Sequence, residues 1–131
     1  MLAMAIKHVQ KVTVPVSDQT TAKEFYTGKL GFEVRSEFPV PMGGEGTKWI
    51  EVAPPGAQTV LVLCNWLPDL KPGALKATML ESSNFDADVS ALQKAGVELD
   101  GPPRETPWGK QASFSDPDGN SFVLTNAPTG V

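Results

Sequence analysis

Few side chains in this sequence are equipped for chemistry, and they are scattered along it. In KWIEV, residues 48–52, Glu51 stands mid-strand among apolar neighbours. A carboxylate there accepts a hydrogen bond from a ligand, serves as a base, or is a solvated strand residue. Strand alternation puts Trp49 on the face of Glu51, and Ile50 and Val52 on the other. Arg104 lies close to Trp108 in RETPWG, and its planar fork suits a carboxylate or phenolate. Phe38, Trp66 and Trp108 fall in or beside loops. Such aromatics either wall a small-molecule cleft or pack at a subunit contact. His8 is the one histidine, so a two-histidine, one-carboxylate iron site cannot come from a single chain. Asp116 and Asp118 in DPDG read as turn residues, with Gly119 supplying positive φ. Cys64 is the one cysteine; it excludes an internal disulfide and reads as a small buried hydrophobe. There is no phosphate-binding glycine loop, no GxSxG and no CxxC.

The chain that must position these residues has 131 positions, one ordinary domain's worth. Its net charge of −4 argues against nonspecific binding to nucleic acid or anionic membrane. Apolar runs such as TVLVLC, 59–64, fall far short of the roughly 20 residues that span a bilayer. MLAMAIKH carries no basic segment ahead of a long apolar stretch, so no secretion signal is expected and a cytoplasmic protein is the simplest reading.

Val12, Val14 and Val16 alternate as a strand ending near Ser17, and Ser17 or Asp18 can cap a helix that stops at Gly31. Strands are expected at 32–37, 48–53 and 58–66, and a loop at 39–46. After a linker at 67–73 the order repeats. A strand is expected over 74–81, a capped helix over 82–96, a strand over 97–101, a loop over 102–109, and strands over 110–116 and 120–126. Gly31 falls on Gly96 and Ser17 on Ser82 at a shift of 65, which marks an internal repeat of half the chain. The expected fold is α+β: one domain, 1–131, of two tandem βαβββ modules (about 8–66 and 74–126), with curled sheets around a concave cleft.

VTVPVSDQTTAKEFYTGKLGFEV (12–34), KWIEVAPPG (48–56) and FSDPDGNSFVLT (114–125) together resemble the vicinal oxygen chelate superfamily, which includes glyoxalases, bleomycin-resistance proteins and extradiol dioxygenases. The resemblance covers nearly the whole chain and fixes no single function. It implies four metal-ligand positions on the concave face. Here they fall on Lys11, Val62, Lys76 or Ala77, and Val123. Valine offers no lone pair, and a protonated lysine repels a cation. His8 lies an odd three residues from the first position, on the opposite face of a regular strand. The expectation is therefore no metal and no cofactor; the alternative is a divalent ion such as Fe, Mn, Ni or Zn held by displaced ligands. Lys11 and Lys76, if both point inward, would favour an anionic or carbonyl-rich ligand.

The resulting expectation is a metal-independent binder of an apolar or aromatic small molecule, in a cleft of a homodimer. Lys11, Phe38, Trp49, Glu51, Val62, Lys76, Arg104, Trp108 and Val123 are its candidate lining. The alternative is an enzyme of the same superfamily, a lyase, isomerase or dioxygenase, with displaced metal ligands or with Glu51 or Lys76 as a metal-free base. A dimer without a ligand is a third possibility.

Overall fold

A computed structural model describes residues 4–130. Each half contributes one four-stranded sheet and one helix. In the first half β1 (Lys11–Pro15) is followed by α1 (Gln19–Glu24), which continues as a π-helical turn over Phe25–Lys29. Then come β2 (Glu33–Pro39), β3 (Lys48–Ala53) and β4 (Val60–Cys64). The second half holds β5 (Thr78–Glu81), α2 (Phe85–Lys94), β6 (Arg104–Thr106), β7 (Gly109–Ser115) and β8 (Ser121–Thr125). The strand orders match, β1-β4-β3-β2 and β5-β8-β7-β6, with the first and last strand of each module parallel. The sheets curl without closing, as two βαβββ modules should.

Alternation decides which face of each sheet is buried. Val14, Val16, Ile50, Val52, Leu61 and Leu63 join Ala22, Phe25 and Tyr26 of the first helix. Ala112, Phe114, Phe122 and Leu124 join Phe85, Val89 and Leu92 of the second. All belong to one cluster, and Tyr26 crosses between the modules to meet Phe122 edge-on at 5.9 Å. Burial of this apolar area is the main stabilising term. The opposite, open face of each sheet lies away from the helices, and its residues range from buried Val62 to half-exposed Met79.

A polar clasp completes the junction. Asp116 is buried, and its Oδ2 accepts from the Tyr26 hydroxyl at 2.7 Å and from Asn120 Nδ2 at 2.8 Å. Asn120 Nδ2 also donates to the Pro15 carbonyl at 2.8 Å. Asp118 Oδ1 accepts from the Ser17 hydroxyl at 2.6 Å. The turn reading of DPDG holds for Asp116 Oδ1, which takes the backbone N–H groups of Asp118 and Asn120. It misses the other oxygen, which ties the modules together.

Of the two expected caps of α1 it is Asp18 that serves, accepting from Thr21 N at 2.9 Å; other elements differ from expectation. α2 starts at Phe85, not at 82, because Asn84 is its cap. The strand expected at 97–101 is reduced to a single bridge, Leu99 to Phe114. The loop expected at 102–109 contains β6, joined to β7 by a hairpin whose tip is Pro107–Trp108. The Thr106 hydroxyl donates to the Gly109 carbonyl at 2.6 Å and accepts from the Trp108 and Gly109 N–H groups, so side-chain bonding closes a turn that composition alone leaves as a loop. Residues 74–77 stand outside β5.

The repeat also carries two shifts, not one. The caps Asp18 and Asn84 match at 66, whereas the stop glycines Gly31 and Gly96 match at 65. The extra residue of the first helix is absorbed in the π turn, where Leu30 N reaches back five residues to the Phe25 carbonyl at 3.2 Å. The strands before the helices therefore superpose at 66, and Lys11 corresponds to Ala77, not Lys76.

Candidate functional site

The open face of the first sheet carries Lys11 and Thr13 on β1, Val62 on β4, Trp49 and Glu51 on β3, and Phe38 on β2. Strand pairing sets them side by side: Thr13 faces Val62, Val62 faces Glu51, and Trp49 faces Phe38. Phe38 and Trp49 stack with ring centres 6.3 Å apart and planes 16° apart. Trp66, just past β4, lies 5.7 Å from Trp49. The three rings form a continuous aromatic row. Gly43 (φ +77) lets the 39–46 loop close on the base of this row, since a Cβ there would lie 2.9 Å from Trp66 Cβ.

Glu51 ends the row. Its Oε2 accepts from the Trp49 indole and from the Lys11 ammonium, each at 2.8 Å. Burial pushes its carboxyl up, but the bonds from Lys11 and Trp49 outweigh burial and hold it below the usual 4.5. Glu51 is thus a fixed carboxylate whose charge Lys11 balances. A base works best with a pKa near the operating pH, and this one is moved the other way.

On the second sheet the matching positions carry different chemistry. Ser113 and Met79 flank Val123, and Gln111 pairs with Arg104. By topology Val123 stands for Val62, Ser113 for Glu51, Gln111 for Trp49 and Arg104 for Phe38. A cleft of about 480 Å³ opens here, lined by Asp100, Arg104, Gln111, Ser113, Ser121 and Val123. Arg104 Nη2 donates to Gln111 Oε1 at 3.2 Å, and Ser121 Oγ accepts from Ala77 N at 2.8 Å. Ala77 is the one non-glycine residue among the described residues with positive φ, +57.

The expected lining is therefore split. Lys11, Phe38, Trp49, Glu51 and Val62 come together on one face, and Arg104 and Val123 on the other. Lys76 joins neither group: it is exposed, and its Nζ donates to the Gly119 carbonyl at 2.8 Å. The expected pairing of Lys11 with Lys76 fails for that reason, and because Lys11 is spent on Glu51. Trp108 sits 62% exposed at the β6–β7 hairpin tip, away from the aromatic row. His8 is exposed ahead of β1. Sequence reasoning missed Gln111, Ser113 and Ser121, which the repeat would have shown once each strand was shifted separately.

The positions to which the resemblance assigns metal ligands hold Lys11, Val62 and Val123, with Ala77 rather than the exposed Lys76 matching Lys11. None supplies an anionic or imidazole donor, and among the described residues no three His, Cys, Asp or Glu side chains converge to hold an ion. The residues present do not fit a resident divalent metal.

A family model described as Glyoxalase/Bleomycin resistance protein/Dioxygenase superfamily matches residues 5–124. The chain belongs to this superfamily. Its fold is similar to that of TnmS3, an antibiotic binding protein from Streptomyces sp. CB03234, at 49% identity and a TM-score of 0.84, over 94% of this chain and 98% of that one. A superfamily member from Sphaerobacter thermophilus DSM 20745 is 36% identical with a TM-score of 0.79, over 93% and 98%. The uncharacterized protein YetH of Bacillus subtilis (strain 168) is 38% identical over 120 residues, 91% of this chain and 98% of its own. Among the described residues no helix is long and apolar enough to cross a membrane.

Proposed function

We propose that this superfamily member is a metal-independent binder of an apolar or aromatic small molecule, held in a cleft that a homodimer completes. The observation that carries the reading is the aromatic row Phe38–Trp49–Trp66 beside a neutralised Glu51. Flat rings with one fixed polar group are what an apolar ligand needs for area and orientation. The likeness to a protein described as antibiotic binding supports the same class of function.

Metal independence rests on the residue types at the four ligand positions. The depressed pKa of Glu51 weighs against its use as a metal-free base. The homodimer rests on the open faces. Phe38 on one and Met79 on the other are about half exposed, at 48% and 55%. A two-fold pairing of unlike faces would build two identical composite clefts, one wall aromatic and one polar. A cytoplasmic location is part of the proposal, resting on acidic, single-cysteine composition.

Titration of the protein with planar polycyclic aromatics, followed by quenching of tryptophan fluorescence and by calorimetry, tests the reading. Saturable binding that Trp49→Ala weakens supports it; binding indifferent to Trp49 overturns it. Elemental analysis after exposure to Mn, Fe, Co, Ni and Zn should find less than about a tenth of an equivalent, well short of the full occupancy of a built metal site. Sedimentation should give a dimer.

A further inference from the structure

We propose that the ligand is a planar aromatic acid, its ring on the Phe38–Trp49–Trp66 row and its carboxylate or phenolate on Arg104. The inference rests on the composite cleft proposed above and adds the charge of what fills it. On the first face the charges cancel, because Lys11 and Glu51 are paired at 2.8 Å. On the second, Arg104 is exposed, and among the described residues its guanidinium bonds to the neutral Gln111 amide alone. Among the described residues no carboxylate pairs with it. Four of its five N–H donors remain available, in the planar fork that matches a carboxylate.

Its neighbours are arranged the same way. Gln111 Oε1 is turned to Arg104, leaving the amide N–H groups to donate. Ser121 Oγ is already an acceptor from Ala77 N, so its proton is free to be donated. Ser113 adds a third hydroxyl or amide donor to the same cleft. The three positions that hold Phe38, Trp49 and Glu51 in the first module hold Arg104, Gln111 and Ser113 here. Two rings and an acid are exchanged for a set of donors. Two acidic residues stand near this set, Asp100 among the residues that line the cleft and Glu105 next to Arg104 in β6, and a carboxylate facing the cleft would lower its affinity for an anion.

Three probes of one shape separate the possibilities: anthracene-9-carboxylate, anthracene-9-carboxamide and 9-(aminomethyl)anthracene, titrated by calorimetry. The carboxylate should bind about tenfold tighter than the carboxamide, the size of one charge-assisted contact, and the ammonium weakest. Arg104→Met should remove the carboxylate's advantage and leave carboxamide affinity within about twofold, since a rim charge contributes little to a neutral ligand. Asp100→Asn should widen the advantage. A carboxamide that binds as tightly as the carboxylate overturns the inference while leaving the aromatic-cleft reading intact. So does an Arg104→Met variant that weakens both probes equally. Failure of all three probes to bind overturns both.

Discussion

The two open faces are built on one backbone plan and carry opposite chemistry. Where the first module sets Phe38, Trp49 and Glu51, the second sets Arg104, Gln111 and Ser113. The helix-side faces have stayed alike, apolar and merged in one core. Packing constrains the buried face of a sheet and leaves the open face to vary. The turns differ in the same instructive way. In the first module the β3–β4 turn is held by its own module's Arg35, which donates to the Pro54 and Ala57 carbonyls. The corresponding β7–β8 turn reaches across to Tyr26, Pro15 and Ser17.

That contrast is most sharply broken at Asp116. Asp116→Ala leaves the Tyr26 hydroxyl and the Asn120 amide without their buried acceptor, and should cost about 3 kcal/mol in urea unfolding. Removing Arg35, on the exposed counterpart, should cost less than about 1 kcal/mol. Equal losses would mean the two turns are not different in kind. Next in size is the open-face contrast. Trp49→Ala should weaken a neutral polycyclic aromatic by about tenfold or more, and Gln111→Ala by less than about threefold, as expected of a peripheral polar contact. Fluorescence and calorimetric titration of both variants would show it.

Acid sensitivity sharpens the comparison further. Lys11 and Trp49 hold the Glu51 carboxyl below 4.5 against the opposing effect of burial, and Lys23 and Lys48 do the same for Glu37. Both depressed carboxyls belong to the first module. A carboxyl depressed on folding adds stability that is present above its unfolded pKa and fades as pH falls through the folded one. Melting temperature should therefore drop as pH falls below about 4.5, and Glu51→Gln should flatten the drop. Ser113→Ala, at the matching position of the second module, should leave its slope unchanged. A small effect of opposite sign is expected at Gly28, in the π turn of the first module. A Cβ there meets nothing within 4 Å, so Gly28→Ala should stabilise by about 0.5–1 kcal/mol in thermal melts.

How much of this was legible follows from the same asymmetry. The apolar alternation of Val12, Val14 and Val16 and the stop glycines Gly31 and Gly96 announce the repeat and its two modules. The co-placement of Trp49 with Glu51 was legible as well, because period-two alternation is a local property. The error at Lys76 came from carrying one shift through a helix that holds an extra residue. A π turn has no sequence signature, and the caps Asp18 and Asn84 reveal it only beside the glycines. The partner of Glu51 was not readable, since Lys11 reaches it across β4 from a strand some forty residues earlier. Nor was β6, which three residues and a Thr106 hydroxyl define in a stretch rich in proline.

The shared core carries a consequence for how the molecule comes apart. Tyr26 and Phe122 touch across the junction, and Asn120 hangs on the Pro15 carbonyl, so neither half owns a complete interior. A polypeptide ending near residue 66 would expose the apolar flank that the other half covers, and should not hold its shape alone. Melting should then be all-or-none, with fluorescence from Trp49 and far-ultraviolet dichroism from both helices falling together at one midpoint. The duplication visible in the sequence survives as geometry, and has been lost as independence.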